Sequence, residues 1–335
     1  MRSNSSPWTK RRRLEACLAG NEPDRVPVAL WRHFPVDDQT PENLAASTLD
    51  FQDRFDFDFV KVTPASSFCL RDWGAIDTWQ GAAEGARNYT YRVIQSPDDW
   101  FRLPVLDPYR GALADQLTCL SLIVDQLSPR NVPLLQTIFS PLSQAKNLVG
   151  GEMLLVHLRQ HPEAIKAGLR IITESTLRFL DAALSTGIDG ICYAVQHASY
   201  KLLSVQEYQE FARLDDLQIL SMLDRTWLNM LHLHGEQVQF DQFCDYPVQV
   251  INWHDRDTAP SLAQALQRFP GAVCGGLQRE RTLVLGNPVS VTAEAHDAIQ
   301  ATNAQRFILG TGCVLPITAP RTNILAARQS VGTGI

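Results

Sequence analysis

Eight short β-rich runs recur along the chain, most of them separated by stretches with helical spacing, and this alternation restricts the fold more than any other feature. The runs are RVPVALW (25–31), FDFVKVT (57–63), VPLLQTIF (132–139), GIDGICYAV (187–195), NMLHLH (229–234), VQVINW (248–253), GAVCGG (271–276) and RFILG (306–310). Helical patterns are clearest at 162–186, 205–228, 260–268, 292–303 and 320–330. The segment from Pro162 to Gly187 has proline near its start and glycine at its end, as helix termini prefer. Alternating strands and helices predict an α/β protein with a parallel sheet. Eight strands is the count of a closed (β/α)8 TIM barrel. An open doubly wound sheet would want a glycine-rich turn after its first strand, but RHFPVDDQ follows Trp31 with no glycine. The expectation is therefore a single barrel domain over 1–335, with an inserted segment of about 64–131 between the second and third strands. RNYTYRVIQSPDDW, at the centre of that insertion, reads as an added strand or hairpin, and the tail SVGTGI as a frayed end.

The chemistry of a (β/α)8 barrel lies at the C-terminal ends of its strands. His157, His161 and His296 fall in helical patterns and read as solvated or capping. The other five of the eight histidines fall on the rim: His33, His197, His232, His234 and His254. His232 and His234 in LHLHGE are two apart on one strand, so both side chains share a face. Cys313, in GTGCVLP after the last strand, adds a third metal-type donor. Three His or Cys ligands with an open fourth position describe a catalytic zinc site. The same residues also fit hydrogen-bonded packing histidines and a small buried thiol, and spacing alone leaves both readings open. Glu236 and Asp241 follow the fifth strand, and Asp255 and Asp257 the sixth. Asp255 and Glu236 are candidates for orienting a ligand or for acid–base catalysis, whereas Asp257 or Thr258 fits a helix N-cap.

Composition excludes several classes. The net charge of −6 argues against a nucleic-acid partner. The basic run Lys10–Arg13 opens a helix and reads as a solvated face. No run of eighteen apolar residues predicts a membrane span, and MRSNSSPWTKRRR has no apolar core of a secretory signal. Seven cysteines without a CxxC pair predict a reducing, cytoplasmic setting. Barrel enzymes often form homodimers, but no interface is readable in the sequence.

PDRVPV at 23–28, HLHGE, VINWHDRD, GGL at 275–277 and FILGTGCVLPITAPRTNILAA at 307–327 together resemble the uroporphyrinogen decarboxylase superfamily, from about Leu14 to Arg328. That superfamily includes zinc-dependent methyltransferases that move a methyl group from a corrinoid protein to a thiol such as coenzyme M. The resemblance implies the (β/α)8 barrel, a small-molecule substrate and one of these two activities. Against the decarboxylase branch, Arg32 in WRHFPVDD matches the first of two substrate-binding arginines and the second is missing. Thr63 and Pro64 in VKVTP stand where that branch has an aspartate. Asn147 in SQAKNLVGG falls at its active-site tyrosine, and Thr311 in LGTGC at its histidine. A substrate with many carboxylates wants several arginines at the mouth, and few are evident there in the sequence.

The methyltransferase branch carries HxC after the fifth strand and a cysteine after the eighth. His232 and Cys313 match, and His234 replaces the middle cysteine. The resemblance therefore implies Zn2+ on His232, His234 and Cys313, with a corrinoid carried by a partner protein. Replacing a thiolate by imidazole takes the centre from near neutral to about +1. A thiolate bound there is better stabilised but less nucleophilic, and a bound water would titrate toward about 7. The change tilts the site toward Lewis-acid or hydrolytic chemistry. Arg32, His33, Asn147 and His197 are the candidate substrate contacts. Two alternatives stay open: a metal-free decarboxylase centred on Arg32, and a non-catalytic tetrapyrrole- or corrinoid-binding barrel with His197 as an axial ligand or a polar rim residue.

Overall fold

The computed structural model describes residues 8–332. Nine strands form: β1 (Val60–Val62), β2 (Ile76–Thr78), β3 (Asn88–Tyr91), β4 (Leu134–Phe139), β5 (Gly190–Val195), β6 (Met230–Leu233), β7 (Val250–Trp253), β8 (Ala272–Leu277) and β9 (Phe307–Thr311). Seven make one parallel sheet in the order β1-β4-β5-β6-β7-β8-β9, while β2 and β3 pair separately as an antiparallel hairpin. Every residue of β4 to β9 is buried, as a parallel sheet covered by helices requires.

The expected strand at 25–31 takes a reduced form. Pro27 has no N–H, which limits the ladder that this segment can join. It makes single bridges instead: Ala29 N donates to Leu309 O at 3.0 Å, Leu309 N to Pro27 O at 2.8 Å, and Asp58 N to Val28 O at 2.9 Å. The segment thus hydrogen-bonds to β9 on one side and to the residues entering β1 on the other.

Helices cover the sheet where apolar spacing foretold them. The longest, Pro162–Leu184, buries Ile165, Leu169, Ile172, Phe179 and Leu180 on one stripe. The helical pattern at 205–228 becomes helix to Leu220, with a π turn at 209–213, then a 3-10 turn. Between β1 and β4 the chain contains more than an insertion. The helix Gly111–Leu127 buries Leu113, Leu117, Leu120 and Ile123, and its Gln116 donates to Gln136 of β4 at 2.8 Å. Only the part before it, with the β2–β3 hairpin, stands apart from the sheet-and-helix repeat. The hairpin's second strand is the expected NYTY, while PDDW turns into a 3-10 helix.

Four local expectations are corrected. Arg13 is buried rather than solvated: it binds Asp24 at 2.6 Å and Asp58 at 2.7 Å, and Asp58 also accepts from Arg25 at 2.7 Å. His157 is buried and accepts from Trp100 Nε1 at 2.9 Å. Ser261, not Asp257, caps the helix Leu262–Arg268, because Asp257 is engaged by Gln278 and Arg281. At the C-terminus Val331 is buried, so the fray expected from Ser330 does not begin there; residues 333–335, like residues 1–7 of the N-terminal signal reading, lie outside those described. No helix among the described residues is long and apolar enough to cross a membrane.

Candidate metal centre and cavity

The parallel register of β6 and β7 pairs His232 with Asn252 and Leu233 with Trp253. One step further brings His234 beside His254, and their ring centroids are 5.1 Å apart. Cys313 arrives from the turn after β9 with Sγ 3.6 Å from His234 Nδ1. The donor atoms of His232, His234, His254 and Cys313 all lie within 4.8 Å of one another. Around a tetrahedral zinc with bonds of ~2.0–2.3 Å, donor atoms stand about 3.3–3.8 Å apart, so little contraction is needed.

Asn252 settles which nitrogen of His232 is free. Its Nδ2 donates to the carbonyls of Cys274 and Thr311, both at 2.9 Å. Its Oδ1 must therefore face His232 Nδ1, 2.7 Å away, which has to carry the proton. The Nε2 lone pair is left pointing elsewhere. His232 Nε2 and His254 Nε2 are buried with no hydrogen-bond partner, which fits metal-ligating nitrogens. Cys313 completes the donor set electronically. Burial by itself would raise its pKa, but His232, His234 and His254 outweigh burial and hold the thiol well below its usual range. The thiolate is the form that binds metals.

His232, His234 and Cys313 open onto a cavity of about 310 Å³, which His33, Thr63 and Asn147 also line. His33 is neutral: burial, Lys61 and Arg87 push its pKa down to about 4, and its Nδ1 has no partner. Gly85 of the hairpin loop, at φ +76°, presses on it so closely that a Cβ there would stand 2.4 Å from His33 Cβ.

Other sequence candidates sit elsewhere. Arg32 lies over the rings of Phe34 and Phe51 at 5.0 and 5.8 Å and donates to Ile317 O, outside the cavity lining. Glu236 is exposed and paired with Lys201. Asp255 is 1% exposed and accepts from Gly276 N at 3.1 Å, with burial first among the causes that raise its pKa to about 7; it too is absent from the lining. His197 is buried, outside the lining, and held to about 4 by burial and Lys146.

The cavity is also more cationic than the sequence let one expect, since Lys61, Arg87, Arg92 and Lys146 all line it. Arg87 is neutralised by Asp38 and Asp77. Lys146 is lowered to about 8 by burial and Arg92. Lys61 did carry a signal, being a lysine between two valines in the β-rich run FDFVKVT, and His254 could be found from the register. Arg92 had none, because the hairpin that delivers it follows no barrel period.

Comparison with known proteins places this geometry in context. The fold is similar to that of a methyltransferase from Methanosarcina mazei, with TM-score 0.84, 19% identity, and 96% of this chain and 98% of that one covered. It is also similar to a B12-independent methionine synthase from Shewanella sp. W3-18-1, with TM-score 0.57, 11% identity, and 91% and 92% covered. No curated protein matches the chain. The profile described as Uroporphyrinogen decarboxylase (URO-D) matches residues 9–333, nearly the whole length, and the chain belongs to that family.

Proposed function

We propose that this protein is a zinc-dependent group-transfer enzyme, moving a methyl group between a corrinoid carried by a partner protein and a small acceptor such as a thiol. The observation that carries the reading is the convergence of His232, His234, His254 and Cys313 beside a cavity. Two histidine nitrogens there lack partners and the thiol is held as thiolate. Zinc would be held by His232, His234 and Cys313, the three of these residues that line the cavity, leaving a position free for a substrate, and when bound it would supply a Lewis acid that keeps an acceptor thiol deprotonated at neutral pH. Two neutral imidazoles and one thiolate leave such a centre at about +1.

The chain's own residues do the rest. Asn252 holds His232 with Nε2 unprotonated, and a neutral His33 lines the cavity. Asn147 presents a buried amide to the same space. We read the chain as one closed eight-stave barrel in which the segment 25–31 is the eighth stave. Its hydrogen bonds to both β9 and the entrance of β1 support that reading. The fold likeness to the Methanosarcina mazei methyltransferase supports methyl transfer as the reaction.

A carboxy-lyase is the second reading, favoured by the cations of the cavity wall. It would need no metal and would tolerate loss of Cys313. Metal analysis of untagged protein purified without chelator separates the two. About one zinc per chain, lost in His234→Ala and Cys313→Ala, is the expected result, and methylcobalamin-to-thiol transfer is then the assay. Wild-type protein that stays metal-free after reconstitution overturns the zinc reading.

A further inference from the structure

The β2–β3 hairpin is tied down at two places far apart on the barrel rim. At its base Arg87 binds Asp38 and donates to Pro35 O at 2.5 Å, and Arg92 donates to Asn147 O. At its tip, residues 79–86, Ile317 N donates to Ala83 O at 2.6 Å and Arg279 pairs with Glu84. Glu84 and Ala86 of the tip line the cavity together with His232, His234 and Cys313. Gln80, Gly81, Ala82, Ala83 and Ala86 are exposed, so the same short segment meets the cavity and the solvent.

Little holds the tip in place. From Gln80 to Ala86 the chain reads QGAAEGA, with no large apolar side chain to bury, and a segment without such burial opens first. The strands β2 and β3 pair with no other strand among the described residues. Gly85 seats the tip against His33, where a Cβ would find no room. The two polar ties share a destination. Ile317 lies four residues beyond Cys313, and Arg279 also donates to Val314 O at 3.4 Å, the carbonyl of the next residue. One guanidinium thus grips both the hairpin tip and the backbone beside a thiol of the donor set.

We propose that residues 79–86 are a lid, latched to the Cys313 segment through Glu84–Arg279 and Ala83–Ile317, and that its opening admits the methyl donor. The lid and its latch stand on these contacts; the identity of what enters rests on the function proposed above. The cavity of about 310 Å³ is at the lower limit of the ~300–1,000 Å³ typical of small-molecule sites. A corrin ring held by a partner protein does not fit in it, whereas a small acceptor does. Because the latch shares its backbone with Cys313, a metal that fixes Cys313 also favours the closed lid, by reciprocal linkage.

Two rates on the full chain test the lid: amide exchange at 79–87 and Ile317 by mass spectrometry, and alkylation of Cys313 by a bulky maleimide in chelator-treated protein. Glu84→Gln removes the ion pair and is expected to speed both by up to about fivefold. Gly85→Ala, whose methyl cannot seat on His33, is expected to speed both by more. Cys244, half-buried on the turn after β6, is the internal control and should react at an unchanged rate. Unchanged exchange and alkylation in both variants overturn the lid, as does equal acceleration at Cys244, which marks general loosening. Zinc is expected to slow Ile317 exchange in wild type by about fivefold or more, and no slowing in zinc-loaded protein overturns the coupling to Cys313. In zinc-loaded Glu84→Gln, methyl transfer to a thiol should speed with methylcobalamin and not with methyl iodide; equal effects on the two donors overturn donor admission. Faster exchange in variants of a protein that takes up no zinc supports the lid and overturns the metal reading alone.

Discussion

Asn252 shows how much a single side chain decides here. Two backbone carbonyls fix its amide, the amide fixes the tautomer of His232, and the tautomer determines which nitrogen can reach a metal. Replacing such an orienting partner typically costs 10–100-fold in metal affinity. Asn252→Ala is expected to weaken zinc by that amount in competition with a chromophoric chelator, and unchanged affinity would show that His232 is held by packing alone. Cys313 gives a pH signature at the same scale. With its folded pKa depressed by three imidazoles, against the opposing effect of burial, the metal-free protein should retain thiolate absorbance well below the ordinary thiol range of about 8.5. In His232→Ala the thiolate should be lost at higher pH than in wild type. A wild-type titration at the ordinary value would contradict the electrostatic account.

At the scale of elements, register does the assembling. Pairing β6 with β7 in parallel aligns HLH with NWH, so the ends of two strands supply three of the four donors. The neighbouring β5 is locked to the helix at 214–220 by Asp216, whose carboxylate accepts from Tyr193, Tyr208 and Tyr246 at 2.6, 2.6 and 2.9 Å. Burial raises its pKa to about 6 despite those three donors. The folded form therefore binds its proton before the unfolded form, whose carboxyl titrates near 3.9. This group's ionised state costs stability above about pH 6, and the cost is relieved as pH falls from there toward 4. Wild type should gain stability relative to Asp216→Asn across that window in urea denaturation. A difference independent of pH would mean that the carboxyl is not titrating in the fold. Asp216→Ala leaves three buried hydroxyls without an acceptor and should cost about 3–5 kcal/mol.

For the whole molecule, the join between β9 and the entrance of β1 rests on a segment that is barely a strand. Val28 is tied to Leu309 on one flank and to Asp58 on the other, and Asp58 also receives Arg13, Arg25 and the Val28 amide. One fully buried carboxylate thus joins the first helix, the segment 25–31 and the entrance to β1. Asp58→Ala leaves the buried Arg25 without a carboxylate and Arg13 with Asp24 alone, and should destabilise by about 3–5 kcal/mol, the usual result of breaking a buried ion pair. A loss below about 1 kcal/mol by urea denaturation would show that Pro27-limited bridges suffice for that edge.

Periodicity alone was enough to read the alternation of strands and helices, because burial on both faces of a parallel sheet leaves near-continuous apolar runs such as LLQTIF and GICYAV. The sequence was also enough to nominate His232, His234 and Cys313, since a two-residue spacing on a strand and a residue after the last strand are local facts. Tertiary structure alone decided the fourth donor, the tautomer of His232 and the exclusion of Arg32, Glu236 and Asp255 from the cavity lining. It also decided that four cations share one cavity. Those outcomes depend on register between strands and on which of several nearby polar groups meets each side chain first. Such contacts join residues 20 to 79 positions apart, and no one-dimensional pattern carries them.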